Sequence, residues 1–88
     1  PQIFSIRDPY PNPFNPIVNI IFTLNHGTKV TAEIIDMNGK IVDILINHKL
    51  MQGKHKISWV SDSHSSGIYF IRITTPDLIE TKKLLLLK

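Results

Sequence analysis

Apolar and polar residues alternate along most of the chain. The alternation is clearest in residues 17–24, where every second side chain from Val18 to Leu24 is apolar, although Ile17 and Ile21 make the opposite face partly apolar too. Successive side chains of a β-strand point to opposite faces of a sheet, so this pattern indicates strands with one buried face. Six or seven strands are predicted, at roughly residues 2–7, 17–24, 28–36, 40–47, 53–60, 67–75 and 78–87.

Turn-forming residues separate the predicted strands. Asparagine and glycine, which tolerate positive φ, occur in the stretches NHGT, DMNG and MQGK, and proline fixes the TPD turn. The polar stretch SDSHSSG, residues 61–67, indicates a solvated loop with nothing to bury. Residues 40–50 also fit a helical turn, but Asn38 and Gly39 between two apolar runs favour a hairpin. Short strands at regular spacing predict an all-β sandwich.

The last predicted strand departs from the alternation because it ends in four consecutive leucines, Leu84–Leu87. Leu84 and Leu86 project opposite to Leu85 and Leu87, so only one pair can meet the core of a two-sheet domain. The other pair is either covered by loops or exposed. An exposed apolar edge at this position is a candidate contact surface.

A proline-rich segment, YPNPFNP at residues 10–16, precedes the first long apolar run. Prolines fix φ and hold the preceding residue extended, so we expect a stiff lead-in rather than a flexible tether. Asn12 and Asn15 each precede a proline and are expected to cap turns with their side chains. Tyr10 and Phe14 are then expected to dock on the sandwich and to cover one end of its core.

Composition places the chain among small globular domains. Its 88 residues suffice for one domain, residues 1–88, and a hydrophobic fraction of 42% suffices for a core. The absence of cysteine excludes disulfides and thiolate zinc sites. The net charge is +3, but the basic residues are scattered without an aromatic platform, which argues against nucleic-acid binding. The longest apolar run is too short to span a membrane. The first residue is Pro1 rather than Met, so we expect more of the protein upstream.

The sequence contains no arrangement typical of catalysis or metal binding, and no cofactor is expected. His26, His48 and His64 lie in or beside predicted loops without ligand spacing, and His55 is in phase with Trp59 on a predicted strand. Adjacent Asp, Ser and His side chains in DSHSSG diverge from one another, and DMNG lacks the ligand set of a calcium loop. Trp59 is expected in the core, and the alternative role for it is stacking on a sugar ring.

The order of the motifs resembles that of a known family. YPNPFNP is followed by VNIIFTL, VTAEIIDMNGKIVDIL, MQGKHKISW, SSGIYFIRI and a terminal TKKLLLLK. This series resembles the type A C-terminal sorting domain of type IX secretion cargo, and the related immunoglobulin-like domain of flagellar hook-capping proteins. The resemblance implies an immunoglobulin-like antiparallel β-sandwich of about seven strands. Residues 1–16 then form a lead-in strand and proline-rich segment, and residues 78–88 form the terminal strand.

The resemblance also implies a non-catalytic secretion signal. Members of this family sit at the C-terminus of larger cargo proteins in Gram-negative bacteria. The cargo passes through the periplasm, and the outer-membrane type IX translocon directs it to the cell surface or exterior, where a peptidase removes the domain in many members. The implied partners are the translocon, the peptidase and the attached cargo, with no nucleic acid, and self-association through the terminal strand stays open. The alternative is a structural or accessory β-sandwich module of a secreted protein, hook-capping-like or carbohydrate-binding.

The resemblance carries over to individual residues where the family motifs match. We expect the translocon to recognise the terminal signature Lys82, Lys83, Leu84, Leu85, Leu86, Leu87 and Lys88. The motif residues with a structural role are Pro11, Asn12, Pro13, Phe14, Asp36, Gly39, Gly53, Trp59, Gly67 and Tyr69. Val60 and Ser61 stand where the family often has Asp-Gly. Recognition is expected by strand addition to an unpaired edge, or by docking of the apolar, lysine-flanked end.

Overall fold

The computed structural model describes residues 4–88, which form seven strands. These are β1 (Phe4–Ile6), β2 (Ile17–Leu24), β3 (Thr28–Asp36), β4 (Ile41–Leu50), β5 (Gly53–Val60), β6 (Gly67–Thr74) and β7 (Ile79–Leu86). The predicted bounds are confirmed for β2, β3 and β5 and are within three residues for the other strands, except that residues 2 and 3 lie outside the described part. The helical alternative for residues 40–50 is wrong, because β4 pairs with β3.

Two antiparallel sheets make up the sandwich. One sheet has the order β1-β2-β5, and the other has the order β4-β3-β6-β7. The first, second and fifth strands therefore lie in one sheet, and the third, sixth and seventh lie in the other, as in immunoglobulin-like domains. Tyr69 adds a second hallmark of these domains: its hydroxyl donates to the Ser65 carbonyl, at 2.8 Å, across the corner before β6. The predicted immunoglobulin-like all-β sandwich is confirmed.

The core lies between the two sheets and is built from alternate residues of the strands. Its fully buried large side chains are Val18, Ile20, Phe22, Leu24, Val30, Ile34, Trp59, Ile71, Ile73, Leu84 and Leu86. Each of the central strands β2, β3 and β6 contributes side chains at every second position. Trp59 is only 1% exposed, so the prediction that it belongs to the core is confirmed.

Strand β4 lacks a clear period of two because it contains two bulges. Its pairing with β3 skips Leu45 and then Val42, so two pairs of adjacent residues face inward. Leu45 and Ile46 form one such pair, and both pack against the core. The bulges explain why this stretch of sequence also fitted a helical turn.

The β3–β4 hairpin confirms the predicted turn in DMNG. The Asp36 carboxylate accepts the backbone N–H groups of Asn38 and Lys40, both at 2.9 Å. Gly39 has a φ of 83°, a left-handed conformation that glycine adopts without the steric cost of a Cβ. Asp36 and Gly39 therefore hold the turn that sets the β3–β4 register.

Candidate recognition surface at the terminal strand

The four leucines of the terminal segment, residues 82–88, divide into two pairs. The inner leucines, Leu84 and Leu86, are fully buried in the core. The outer leucines point to the opposite face, where Leu85 is half-buried and Leu87 is 52% exposed. The structure thus decides between the two alternatives: the second pair is partly exposed rather than covered by loops.

The three lysines of the terminal segment have different surroundings. Lys83 is exposed on the same face as the outer leucines. The Lys82 Nζ lies 3.2 Å from a carboxylate oxygen of the exposed Asp8. Lys88 is held at the end of the strand, where its backbone N–H donates to the Ser66 hydroxyl and its Nζ donates to a backbone carbonyl of the β5–β6 loop, both at 2.8 Å. Lys83 therefore shares a face of β7 with Leu85, and within residues 4–88 no ion pair joins it to a carboxylate.

The outward edge of β7 carries part of the lead-in segment, residues 7–16. The Phe14 N–H donates to the Leu85 carbonyl at 2.9 Å, and the Leu87 N–H donates to the Phe14 carbonyl at 3.1 Å. The Asn12 side chain donates to the Lys83 carbonyl at 3.0 Å and accepts the Leu85 N–H at 2.9 Å. The expectation of an unpaired edge along the leucines is therefore wrong, because residues 12–14 pair with it.

The lead-in segment pairs with the other sheet before it reaches β7. The Arg7 N–H donates to the Ile21 carbonyl at 2.9 Å, and Tyr10 exchanges two backbone hydrogen bonds with Asn19. The peptide bonds before Pro11, Pro13 and Pro16 are cis. Because Tyr10 bonds to Asn19 and Phe14 bonds to Leu85 and Leu87, the segment crosses from the edge of one sheet to the edge of the other within a few residues.

Two expectations for the lead-in segment need correction. Phe14 covers the end of the core as predicted and is 2% exposed, but Tyr10 is 45% exposed. The backbone of Tyr10 is committed to pairing with Asn19, so its ring lies at the surface. The Asn12 side chain reaches β7 instead of capping a local turn, because two backbone groups of β7 lie within its reach.

Phe14 belongs to an aromatic cluster at this end of the sandwich. The Trp59 ring centroid lies 5.7 Å from that of Phe14 and 5.2 Å from that of Tyr69. The Trp59 Nε1–H donates to the Asp43 carboxylate at 3.1 Å. Trp59 is only 1% exposed and its donor is occupied, so its ring is not accessible for stacking on a sugar.

The β5–β6 loop is less solvated than its sequence indicated. Ser61 is fully buried, and its N–H and hydroxyl both donate to the Pro16 carbonyl at 2.9 Å. His64 is half-buried, with its ring centroid 5.2 Å from that of Trp59. The prediction of a loop with nothing to bury is wrong, because this loop closes over the aromatic cluster. The sequence feature that could have indicated this packing is Tyr69 near the start of β6, because the hydroxyl of a tyrosine at that position typically bonds back to the preceding loop.

The outer leucines adjoin an apolar area on the outer face of the four-stranded sheet. Leu85 lies opposite Ile68, and the next row across the sheet joins Phe70 to Ile35 and Ile41. Ile35 is only 8% exposed although it is outside the core cluster, so its outer-face neighbours cover it. We call Ile35, Ile41, Ile68, Phe70 and Leu85 the outer apolar band. It was missed because the alternation predicts a polar outer face.

The remaining motif residues support the fold. Gly53 and Gly67 begin β5 and β6, and Gly53 has a φ of 129°. His55 is half-buried on β5, and its ring stacks on Phe22 at a centroid distance of 5.5 Å. Within residues 4–88, no group of three His, Cys, Asp or Glu side chains is placed to hold a metal ion. The same residues form no helix that is long and apolar enough to cross a membrane.

Comparison with known proteins assigns the chain to a family. A family model described as the secretion system C-terminal sorting domain matches residues 8–87. The match begins within the lead-in segment and ends at the outermost leucine. No curated protein matched the chain. Because the matched region is nearly the whole chain, the protein belongs to the family of type IX secretion system C-terminal sorting domains.

Proposed function

We propose that this domain directs a larger cargo protein through the outer-membrane type IX translocon, and that the translocon reads the terminal segment. The family supports the coarser statement that the chain is a sorting signal for type IX secretion, which implies export to the cell surface or exterior. Passage through the periplasm, the translocon contact, and later removal by a surface peptidase belong to the proposal. No catalysis is assigned to the domain itself.

The exposure of Leu87 carries the proposal. A leucine that is 52% exposed, in the same run as two fully buried leucines, cannot be explained by the core. Large apolar side chains that are exposed together are typical of interaction sites. Lys83 and Leu85 lie on one face of β7, and the exposed Leu87 directly follows the last residue of that strand, so a partner meets the three together.

The outer apolar band extends this surface across the sheet. Leu85 and Phe70 are half-buried neighbours on the outer face, and Ile41 is exposed at its far side. Arg72 and Glu33, which border the band, form an ion pair of 2.9 Å and neutralise each other. Lys83 pairs with Phe70 of the band across β6 and β7 and is an exposed charge next to the apolar surface, which suits a partner with an apolar patch and a carboxylate at its rim.

The export test uses a periplasmic reporter fused in front of residues 1–88, in a host with a type IX system. Surface exposure of the reporter is measured by its accessibility to external protease. The test variant is Leu85→Ser/Leu87→Ser, and the matched control is Ile17→Ser/Val60→Ser. Ile17 and Val60 are a cross-strand pair on the other sheet with 44% and 48% exposure, so the control removes a similar apolar surface elsewhere.

We expect export of the wild-type fusion and the control, and loss of export for the outer-leucine variant. Deleting residues 82–88 is a poorer test, because it also removes the inner leucines from the core. Failure of the wild-type fusion to reach the surface would refute the sorting function. Normal export of the outer-leucine variant would refute recognition through the terminal segment.

A further inference from the structure

We infer that the outward edge of β7 is a strand-accepting site, and that the partner which reads the terminal segment inserts an extended strand there in place of residues 12–14. The inference rests on the proposed function, because it describes how that partner binds. The structure shows the site in its closed state, with part of the chain's own lead-in segment seated on it.

The edge presents the backbone groups that strand addition requires. The groups of Leu85 and Leu87 that bind the lead-in segment point away from β6, so the odd-numbered residues of β7 direct their N–H and C=O groups outward. Ile79 and Thr81 share this orientation. A strand added from outside could thus pair along the whole length of β7.

The lead-in segment occupies this edge only in part. It satisfies four outward groups, and two of those bonds are made by the Asn12 side chain rather than by backbone. Pro11 and Pro13 flank Asn12 and have no N–H to donate, so the segment cannot form a regular ladder. Its hold on β7 is short compared with the eight-residue pairing of β7 with β6.

The other half of the edge provides a place for a partner to begin. Within residues 4–88, no backbone pairs with Ile79 or Thr81 on the outward side. Ile79 is 65% exposed, and Thr81 is exposed as well. A partner strand that pairs first with these residues can extend toward Leu87 and displace residues 12–14 step by step.

Exchange favours the incoming strand because it replaces every bond that it removes. A strand paired from Ile79 to Leu87 satisfies the four groups held by the lead-in segment and adds those of Ile79 and Thr81. Departure of the lead-in segment also withdraws Phe14, which is 2% exposed and lies against Trp59. The partner strand therefore needs a large apolar side chain at the position of Phe14, to refill the end of the core.

Amide hydrogen exchange of the 1–88 chain tests whether residues 12–14 can leave β7 while the rest of the domain stays folded. The amides of Leu84 and Leu86 face β6, whereas those of Leu85 and Leu87 are held by the lead-in segment. We expect exchange at Leu85 and Leu87 to be at least about tenfold faster than at Leu84 and Leu86, because local opening frees only the outer set. Equal exchange rates for the inward and outward amides would overturn the inference, because residues 12–14 would then leave β7 only when the whole domain unfolds.

A proline placed at the open half of the edge tests the role of strand addition in export. Thr81→Pro removes an outward N–H and obstructs an added strand, while the N–H groups that face β6 remain. Thr81→Ala is the matched control. If Thr81→Pro does not fold, Ile79→Pro at the first residue of β7 replaces it, with Ile79→Ala as its control. Thermal unfolding followed by circular dichroism shows which proline variant is folded.

We expect the folded proline variant to lose export to the level of the outer-leucine variant and the alanine control to keep it. Normal export of the proline variant would overturn strand addition while leaving the sorting function intact. Absence of export for wild type would instead refute the proposed function. The hydrogen-exchange experiment would still test independently whether residues 12–14 are released from β7.

Discussion

The inner and outer leucines of the terminal segment are the same residue type in one continuous run, yet they occupy opposite environments. Leu84 and Leu86 are fully buried between the two sheets, whereas Leu87 is half-exposed on the outer face. Only the alternation of a β-strand separates them. The run LLLL therefore combines two core residues and two residues of the outer surface. Deleting the whole run would remove both pairs at once and could not separate their roles.

The lead-in segment adds a second contrast along the edge of the same strand. From Lys83 to Leu87 the edge is covered by residues 12–14, whereas no backbone group of residues 4–88 pairs with its outward side at Ile79 and Thr81. Natural sheets protect long edges against indiscriminate pairing, and here a proline-rich segment provides the protection. Within β7, the buried side chains, the covered backbone groups and the open backbone groups therefore differ in their surroundings, and separate variants can test each set.

The largest effect is expected from removing both inner leucines. Each buried Leu→Ala change costs about 2–5 kcal/mol, and the whole stability of a small domain is about 5–15 kcal/mol. We expect Leu84→Ala/Leu86→Ala to be largely unfolded at 25 °C, as measured by urea denaturation and circular dichroism. The outer pair Leu85→Ala/Leu87→Ala should remain folded. A stably folded inner-pair variant would contradict the assignment of these leucines to the core.

Loss of Phe14 should have the next largest effect, because it opens the end of the core that the lead-in segment closes. Phe14→Ala should lower the free energy of unfolding by about 3–5 kcal/mol. Tyr10→Ala, in the same segment but 45% exposed, is the control and should cost much less. Similar losses for the two variants would show that the segment contributes through its backbone alone.

Asn12→Ala should have an intermediate effect. It removes two hydrogen bonds to β7, each with a net contribution of about 0.5–1.5 kcal/mol. The free energy of unfolding should fall by about 1–3 kcal/mol, and the Leu85 amide should exchange faster. Asn15→Ala changes the same residue type at the other Asn-Pro step and serves as the control. An unchanged exchange rate at Leu85 would show that Asn12 does not hold the edge closed.

The smallest effect on stability is expected for Leu87→Ser. Substitutions at such exposed positions usually change stability by about 0.5 kcal/mol or less. Export of the reporter fusion should nevertheless fall, because the outermost leucine of the recognition surface is lost. A large drop in thermal stability would place Leu87 with the inner leucines and remove the contrast between the two pairs.

Local patterns in the sequence were sufficient to predict the strands. Alternation gave the bounds of β2, β3 and β5, and the hairpin at Asp36–Gly39 followed from turn chemistry alone. The bounds of β4 were less accurate because two bulges change the face on which its side chains lie. These features depend on neighbours within a few residues, which a single sequence displays.

Long-range pairing explains what the sequence did not reveal. Asn12 and Leu85 are 73 residues apart, and no local pattern indicates that one covers the edge of the other. Likewise, Ile35 is buried on the outer face by residues of neighbouring strands, so its environment depends on the strand order. The family resemblance located the two motifs at the ends of the domain, but their contact with each other is a property of the fold.

The position of the single tryptophan gives this domain a built-in optical probe. Trp59 is 1% exposed and in ring contact with Phe14, His64 and Tyr69, which belong to the lead-in segment, the β5–β6 loop and β6. Its emission should shift to longer wavelength when water reaches the indole, and the wild-type chain needs no added label. A stopped-flow fluorescence record could therefore time the departure of residues 12–14 from β7 during engagement with a partner.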